Sequence, residues 1–335
     1  MDKINIILQG GGTRCAYQVS FLDTFINHNT KYTVNTVYGT SFGALVGYFF
    51  CIRRLDILYT FFLSLDEDKL KKHFDFFGYG KYLINIPILG FLFDWFIKIV
   101  WLLKSIKQKS LYNQDNCIDN IFNLELTEPQ KQNLNNFYCC VYNITKQKTE
   151  YINGTHPLIV DYILASSSLW ILFKPKLIRQ LKTECNCDDQ CICKSNTESI
   201  YCECADSTHK FNEYMDGGLL KSIPFDCNEH NLCNKEKYLI LTTKNIHNIK
   251  NKKFIFNHSG SNLFEYLDNI ITHLVEYIQY MEIEFINKNW YSDPKIHLIN
   301  YDPGITDPSI LDKKTIENYI HDGKMLAQKY LDIPR

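Results

Sequence analysis

The sequence has no excess of charge of either sign. Its 36 basic and 37 acidic side chains leave a formal net charge of −1 at pH 7. A polyanion finds no general electrostatic attraction in such a chain, so nucleic acid is not an expected partner. The start of the chain lacks the basic residues and long apolar core of a secretory leader, because "MDKINIILQGGG" runs straight into a strand-like stretch. An intracellular, cytoplasmic protein with mostly reduced thiols is expected. Internal repeats are absent. So is a long apolar run free of charge. The greasiest segment, "LINIPILGFLFDWFIKIVWLL" at 83–103, could span a bilayer by length but carries Pro87, Asp94 and Lys98. A carboxylate in mid-span is costly. The segment reads as a lid or cap, or as a helix lying on a lipid surface, ahead of a true span.

What is present is globular. Hydrophobic residues at 45% and charged residues at 22% suit a packed fold, and 335 residues suffice for one large α/β domain with appendages. "INIILQ" (4–9) reads as a buried strand ending at glycines. Apolar positions then recur at helical spacing from Ala16 to Asn27. "VNTVY" (34–38) is a second strand, and "FGALVGYFFCI" (42–52) an apolar helix. This strand–turn–helix alternation predicts a mostly parallel sheet with helices on both faces. Segment 55–127 reads as mostly helical. Farther on, "FYCCVYN" (137–143) and "TEYIN" (149–153) form a strand pair, and "PLIVDYILASSS" (157–168) a helix running into a turn. "FNEYMDGG" (211–218), "KYLILTT" (237–243) and "KIHLINY" (295–301) read as strands. Long helices are predicted over 262–290 and 312–331.

Three short stretches carry chemistry. "GTSFG" (39–43) places Ser41 between Gly39 and Gly43 at a strand-to-helix turn. Such a turn lifts the hydroxyl into the open, and flanking glycines relieve the crowding. The next helix brings its positive end near a developing oxyanion. "GGGTRC" (10–15) invites a phosphate-cradle reading. A P-loop needs Gly-Lys-Ser/Thr, which is missing, and a dinucleotide fingerprint needs a glycine where Cys15 stands. The remaining reading is an oxyanion hole built from the amides of Gly10, Gly11 and Gly12, with Arg14 beside them. "DGG" (216–218) ends a strand, holding Asp216 at the sheet edge with Gly217 and Gly218 behind it. A serine nucleophile also needs a base. Of the 10 histidines, His156, His247, His273 and His297 among them, none has a distinctive setting.

Taken in this order, "GGGTR", "GTSFG" and "DGG" resemble the patatin-like phospholipases. "ASSS" (165–168), followed by Pro175, is similar to a fourth block of that family. The resemblance spans about 4–230 and implies a single three-layer α/β domain. Residues 233–335 are expected as an α/β extension packed on the same body. It also implies a Ser41–Asp216 dyad, with Ser41 as nucleophile and Asp216 as general base, acting without histidine or cofactor. Phospholipids or other lipid esters are the implied substrates, met at a membrane surface, and are hydrolysed through an acyl-enzyme. A Ser–His–Asp hydrolase of small esters or thioesters is the alternative, and a non-catalytic lipid-binding protein the third reading. Three departures from the family stand out: Cys15 for glycine, Ser222 where asparagine is frequent, and a longer, aromatic "SLWILFKP" before the proline.

Cysteines crowd between the third and fourth blocks. Cys185, Cys187, Cys191, Cys193, Cys202 and Cys204 form three Cys-x-Cys pairs in what reads as a surface-loop insertion. Alternation along a hairpin puts both sulfurs of a pair on one face. Structural zinc, disulfides and free thiols are the three readings, none of them catalytic.

Overall fold

The computed structural model describes residues 1–65, 119–168, 174–184, 200–202, 211–225, 236–243, 277, 281–282, 295–301 and 313–332. The lid segment 83–103 and the long helix predicted over 262–290, except residues 277, 281 and 282, lie outside them. So do five of the six clustered cysteines, all but Cys202.

The chain opens with strand β1 (Asp2–Leu8), helix α1 (Ala16–His28), strand β2 (Tyr32–Thr40), and helices α2 (Phe42–Cys51) and α3 (Leu55–Ser64). Strands β3 (Phe137–Asn143) and β4 (Lys148–Asn153) lead into helix α4 (Ile159–Ser166). Strands β5 (Lys176–Arg179), β6 (Phe211–Asp216), β7 (Lys237–Thr242) and β8 (Ile296–Asn300) precede helix α5 (Lys313–Tyr330). All eight strands among the described residues join one sheet. Its parallel run is β3-β2-β1-β7-β8. The remaining strands, β4, β5 and β6, are antiparallel to their neighbours.

The period of two along β1 divides the interior. Ile4, Ile6 and Leu8 join the main core with Val19 and Leu22 of α1 and Leu45 and Phe49 of α2. Ile7 faces the other way, with Tyr38, Tyr238, Ile240, Ile223 and Phe225. A strand buried on both faces can be apolar along its whole length, as "INIIL" nearly is. Helix α2 is apolar all round because it lies between the sheet and α1, α3 and α4. Gly47 lets it approach closely: a Cβ there would sit 2.9 Å from the Phe137 ring.

Strand β3 organises the edge that carries Ser41 and Asp216. Strand β4 pairs with it from Tyr138 to Asn143 and fills one side. Strands β2 and β6 therefore share the other side. β2 pairs Val37–Thr40 with Phe137–Cys140, and β6 pairs Tyr214–Asp216 with Val141–Asn143. β2 runs parallel to β3 and β6 runs against it. Their carboxyl ends meet head-on, Thr40 opposite Cys140 and Asp216 opposite Val141. Sequence periodicity finds β6 but not its direction. The four-residue β5, whose only buried residue is Ile178, escapes it altogether.

The C-terminal elements complete this body. β7 and β8 extend the sheet beyond β1, and α5 packs along α1. The Tyr17 hydroxyl donates to the Thr242 carbonyl (2.5 Å) and Tyr301 donates to Asp322 (2.9 Å). The α1–α5 crossing has room only for glycine at position 323, since a Cβ would collide with the Tyr17 carbonyl oxygen and the Ser20 hydroxyl. Alanine gains about 1 kcal/mol in helix propensity but overpacks by about 1–3 kcal/mol. Gly323→Ala should therefore lower stability by up to about 2 kcal/mol in urea unfolding. A midpoint at or above that of the parent protein contradicts the packing argument.

Candidate active site

Ser41 stands where β2 gives way to α2. Its backbone is left-handed (φ 55°, ψ −135°), a costly conformation for a residue with a side chain. The neighbours make it attainable. A Cβ at Gly43 would lie 2.5 Å from the Leu8 carbonyl oxygen, and one at Gly39 would strike the Gly43 carbonyl oxygen. Ser41 is the N-cap of α2, yet its hydroxyl does not cap the helix. It acts on the Asp216 carboxyl instead, pulling its pKa down.

Asp216 is the last residue of β6 and only 4% exposed. The Gly218 N–H donates to its Oδ1 at 2.7 Å. Gly217 is pressed against β3, where a Cβ would come within 2.7 Å of the Cys140 carbonyl oxygen. Burial pushes the Asp216 carboxyl up to about 7, against the opposing pull of the Gly218 N–H and the Ser41 hydroxyl.

The "ASSS" turn at the end of α4 ties both residues down. The Ser166 hydroxyl accepts from the Ser41 N–H (2.8 Å) and donates to the Cys140 carbonyl (2.6 Å). The Ser168 carbonyl accepts the Asp216 N–H at 3.1 Å. The motif is readable in sequence, but this double clamp is not, because it joins segments that lie far apart in the chain.

The glycine loop lies against the serine. A Cβ on Gly10 would sit 2.6 Å from the Ser41 Cβ and 3.4 Å from its Oγ. Gly12 has a left-handed backbone (φ 57°) and starts a 3-10 turn, Gly12–Cys15. Arg14 is 3% exposed within it. Cys15 is accommodated without strain. Its backbone is ordinary right-handed helix (φ −63°), its side chain is fully buried, and its thiol faces the Gln9 carbonyl at 3.7 Å. Glycine is not needed there. Ser222, a second departure, has a partner of its own in Glu282 (2.5 Å).

The other sequence candidates lie elsewhere. His156 bonds Glu184 at 2.9 Å and takes the Leu158 N–H on its other ring nitrogen. His297 sits on β8, stacked edge-on against Tyr330. Among the described residues no histidine hydrogen-bonds Ser41 or Asp216. His247 and His273 fall outside those residues. Cys202 is buried, with its N–H on the Gln180 carbonyl (2.9 Å). Among the described residues no His/Cys/Asp/Glu group could hold a metal, and no helix is long and apolar enough to cross a membrane.

The raised Asp216 pKa has a consequence for stability. Its folded-state value lies above that of an unfolded chain, so burial favours folding only while the carboxyl is protonated. That contribution is present below about pH 4 and is lost as pH rises through about 7. Asp216→Asn should therefore be more stable than the parent at pH 8, by on the order of 2–4 kcal/mol, with the gap closing near pH 4. Urea titrations at the two pH values check this. Equal stability at pH 8 contradicts a buried carboxylate.

No curated protein matches the chain. Several solved structures do, among them VipD from Legionella pneumophila, with a TM-score of 0.39 and 12% identity. That match covers 99% of this chain, which spans 66% of the other protein's length. The family model described as patatin-like phospholipase matches residues 6–226, which hold the glycine loop, Ser41, the "ASSS" turn and Asp216. The chain belongs to the patatin-like phospholipase family.

Proposed function

We propose that the protein is a lipid acyl hydrolase in which Ser41 is the nucleophile and Asp216 the general base. The observation that carries this reading is the buried Asp216 carboxyl, pushed up to about 7 by burial and pulled down by the Ser41 hydroxyl beside it. A carboxylate with its ordinary pKa near 3.9 is a poor proton acceptor at neutral pH. Raised to about 7, it is matched to the task.

The Ser41 oxygen attacks the ester carbonyl carbon while its proton passes to Asp216. The carbonyl oxygen becomes an oxyanion. The backbone N–H groups of Gly10, Gly11 and Gly12 and the amino end of α2 offer it donors and positive potential. Arg14, buried in the same turn, adds positive charge. Collapse expels the alcohol, which takes the proton from Asp216, and leaves an acyl group on Ser41. Water then attacks the acyl-enzyme, Asp216 again accepting a proton, and collapse releases the fatty acid as the Ser41 oxygen takes that proton back from Asp216. The dyad needs no metal or cofactor for any of these steps.

Family membership supports phospholipids or related lipid esters as substrates, and with them a peripheral encounter with a membrane. A Ser–His–Asp reading has less support, since among the described residues no histidine hydrogen-bonds Ser41 or Asp216.

Ser41→Ala and Asp216→Asn should each lower hydrolysis of phospholipid vesicles by on the order of 10⁴-fold. Substitutions of His156, His247, His273 and His297 should leave it within about threefold, the scatter of remote substitutions. For the parent, kcat/KM should climb with pH and level off above about 7, as Asp216 ionises. Full activity in Asp216→Asn overturns the dyad. Loss in one histidine variant as deep as in Ser41→Ala favours a triad.

A further inference from the structure

Behind the glycine loop runs a buried chain of hydrogen bonds that the proposed chemistry does not use. It starts at Glu282, in a helical segment beyond the family match. One carboxylate oxygen of Glu282 accepts the Ser222 N–H (2.9 Å), the Ser222 hydroxyl (2.5 Å) and the Ile223 N–H (3.3 Å). The Ser222 Oγ accepts from Gln9 Nε2 at 3.1 Å. Gln9 Oε1 in turn accepts the Thr243 N–H at 2.8 Å. The Thr243 hydroxyl donates to the Gly10 carbonyl at 2.6 Å.

The direction of this chain is set from both ends. A carboxylate only accepts and a backbone N–H only donates. The Thr243 N–H holds the amide oxygen of Gln9 toward it, so the Gln9 amide nitrogen must face Ser222. Ser222 then accepts that bond and gives its single proton to Glu282. The Thr243 hydroxyl has a near acceptor in Gly10, while Gln9 Oε1 lies 3.4 Å away. Its proton therefore goes to Gly10. Thr243 also packs against Gly11 so closely that no Cβ fits there.

The bond to Gly10 matters because the Gly10–Gly11 peptide is trans and planar. In such a unit the C=O and N–H point in opposite directions. Gripping the Gly10 oxygen thus aims the Gly11 N–H the other way. We propose that Thr243 and Glu282 are positioning residues for the oxyanion loop. Through Ser222 and Gln9 they form a directed relay that fixes the Gly10 carbonyl and so orients the Gly11 N–H. The inference rests on the reading of Ser41 as nucleophile and of the glycine loop as oxyanion hole. It gives the C-terminal part of the chain a task in the chemistry, and it explains why Ser222 serves where the family often has asparagine: a hydroxyl can accept from Gln9 and donate to Glu282 at once.

The test uses the full chain with a soluble chromogenic short-chain ester, and a trifluoromethyl ketone that adds to serine and generates an oxyanion. Thr243→Val keeps the side-chain shape but removes the proton on Gly10. Glu282→Ala removes the acceptor, and Glu282→Gln keeps an oxygen in its place. Loss of a whole oxyanion donor costs about 10²–10³-fold, so a misaimed one should lower kcat by about tenfold, with KM little changed. The ketone should bind more weakly by a similar factor in Thr243→Val and Glu282→Ala, and Glu282→Gln should recover most of the loss. Unchanged kcat and ketone affinity in Thr243→Val, with Ser41→Ala inactive, overturns the relay and leaves the proposed function standing. Equal losses in Glu282→Gln and Glu282→Ala also overturn it. Activity surviving in Ser41→Ala overturns the proposed function itself. If Glu282→Ala fails to fold, the isosteric Thr243→Val decides alone.

Discussion

One carboxylate, buried at the end of a strand, governs the sheet edge where the proposed chemistry sits. Asp216 is held away from water where a charge is expensive, and the Gly218 N–H that donates to it, with the Ser41 hydroxyl beside it, offsets part of that expense. The offset is incomplete, so the carboxyl is left with a pKa near neutrality. Full exposure would return it toward the ordinary carboxylate range. Additional donors would pull it down in the same way. The proposed base depends on this intermediate degree of solvation by the protein. That degree is set by the head-on meeting of β2 and β6 along β3, because this meeting decides which groups surround the carboxylate.

The same meeting forces strain onto Ser41. A strand that ends against another strand must turn away sharply, and the turn places a side chain at positive φ. Strain of about 1–3 kcal/mol persists only where the surroundings over-determine the conformation. Here they do so from three directions. Gly39 and Gly43 remove the side chains that would obstruct the turn, Ser166 takes the Ser41 N–H, and the apolar helix α2 is locked between the sheet and three helices. A stable core thus carries an edge that is itself destabilised, the usual relation between scaffold and reactive site.

Much of this was legible in the sequence, and the reason is local. β1, α1, β2 and α2 follow from apolar periodicity and glycine punctuation over a few residues, and their observed bounds lie within two residues of those expected. Strand β3 matches "FYCCVYN" residue for residue. Ser41 and Asp216 stand out because their glycine neighbours are adjacent in the chain. What periodicity could not supply was non-local. Nothing in "FNEYMD" says that β6 runs antiparallel and shares an edge with β2. Nothing in "ASSS" says that Ser166 will meet the Ser41 N–H. Cys15 shows the reverse case. In the sequence it interrupts a glycine pattern, but its right-handed backbone shows that the position never required a glycine.

The two halves of the proposed chemistry are therefore built differently. The dyad is assembled at one edge of β3 from elements that lie within the family match. The oxyanion loop also lies within it, but the groups that grip the loop from behind, Thr243 and Glu282, come from later in the chain. A glycine-rich loop has little conformational preference of its own, so its amides converge only where something else holds the carbonyls. β7 places Thr243 beside Gly10 because it pairs with β1 in parallel register, Leu8 opposite Leu241. The loop after β1 and the loop after β7 then leave the sheet side by side. The strand order that extends the sheet thus also brings Thr243 to the Gly10 carbonyl, and under the proposed relay that contact makes β7 part of the site's construction and not merely a cover for the sheet.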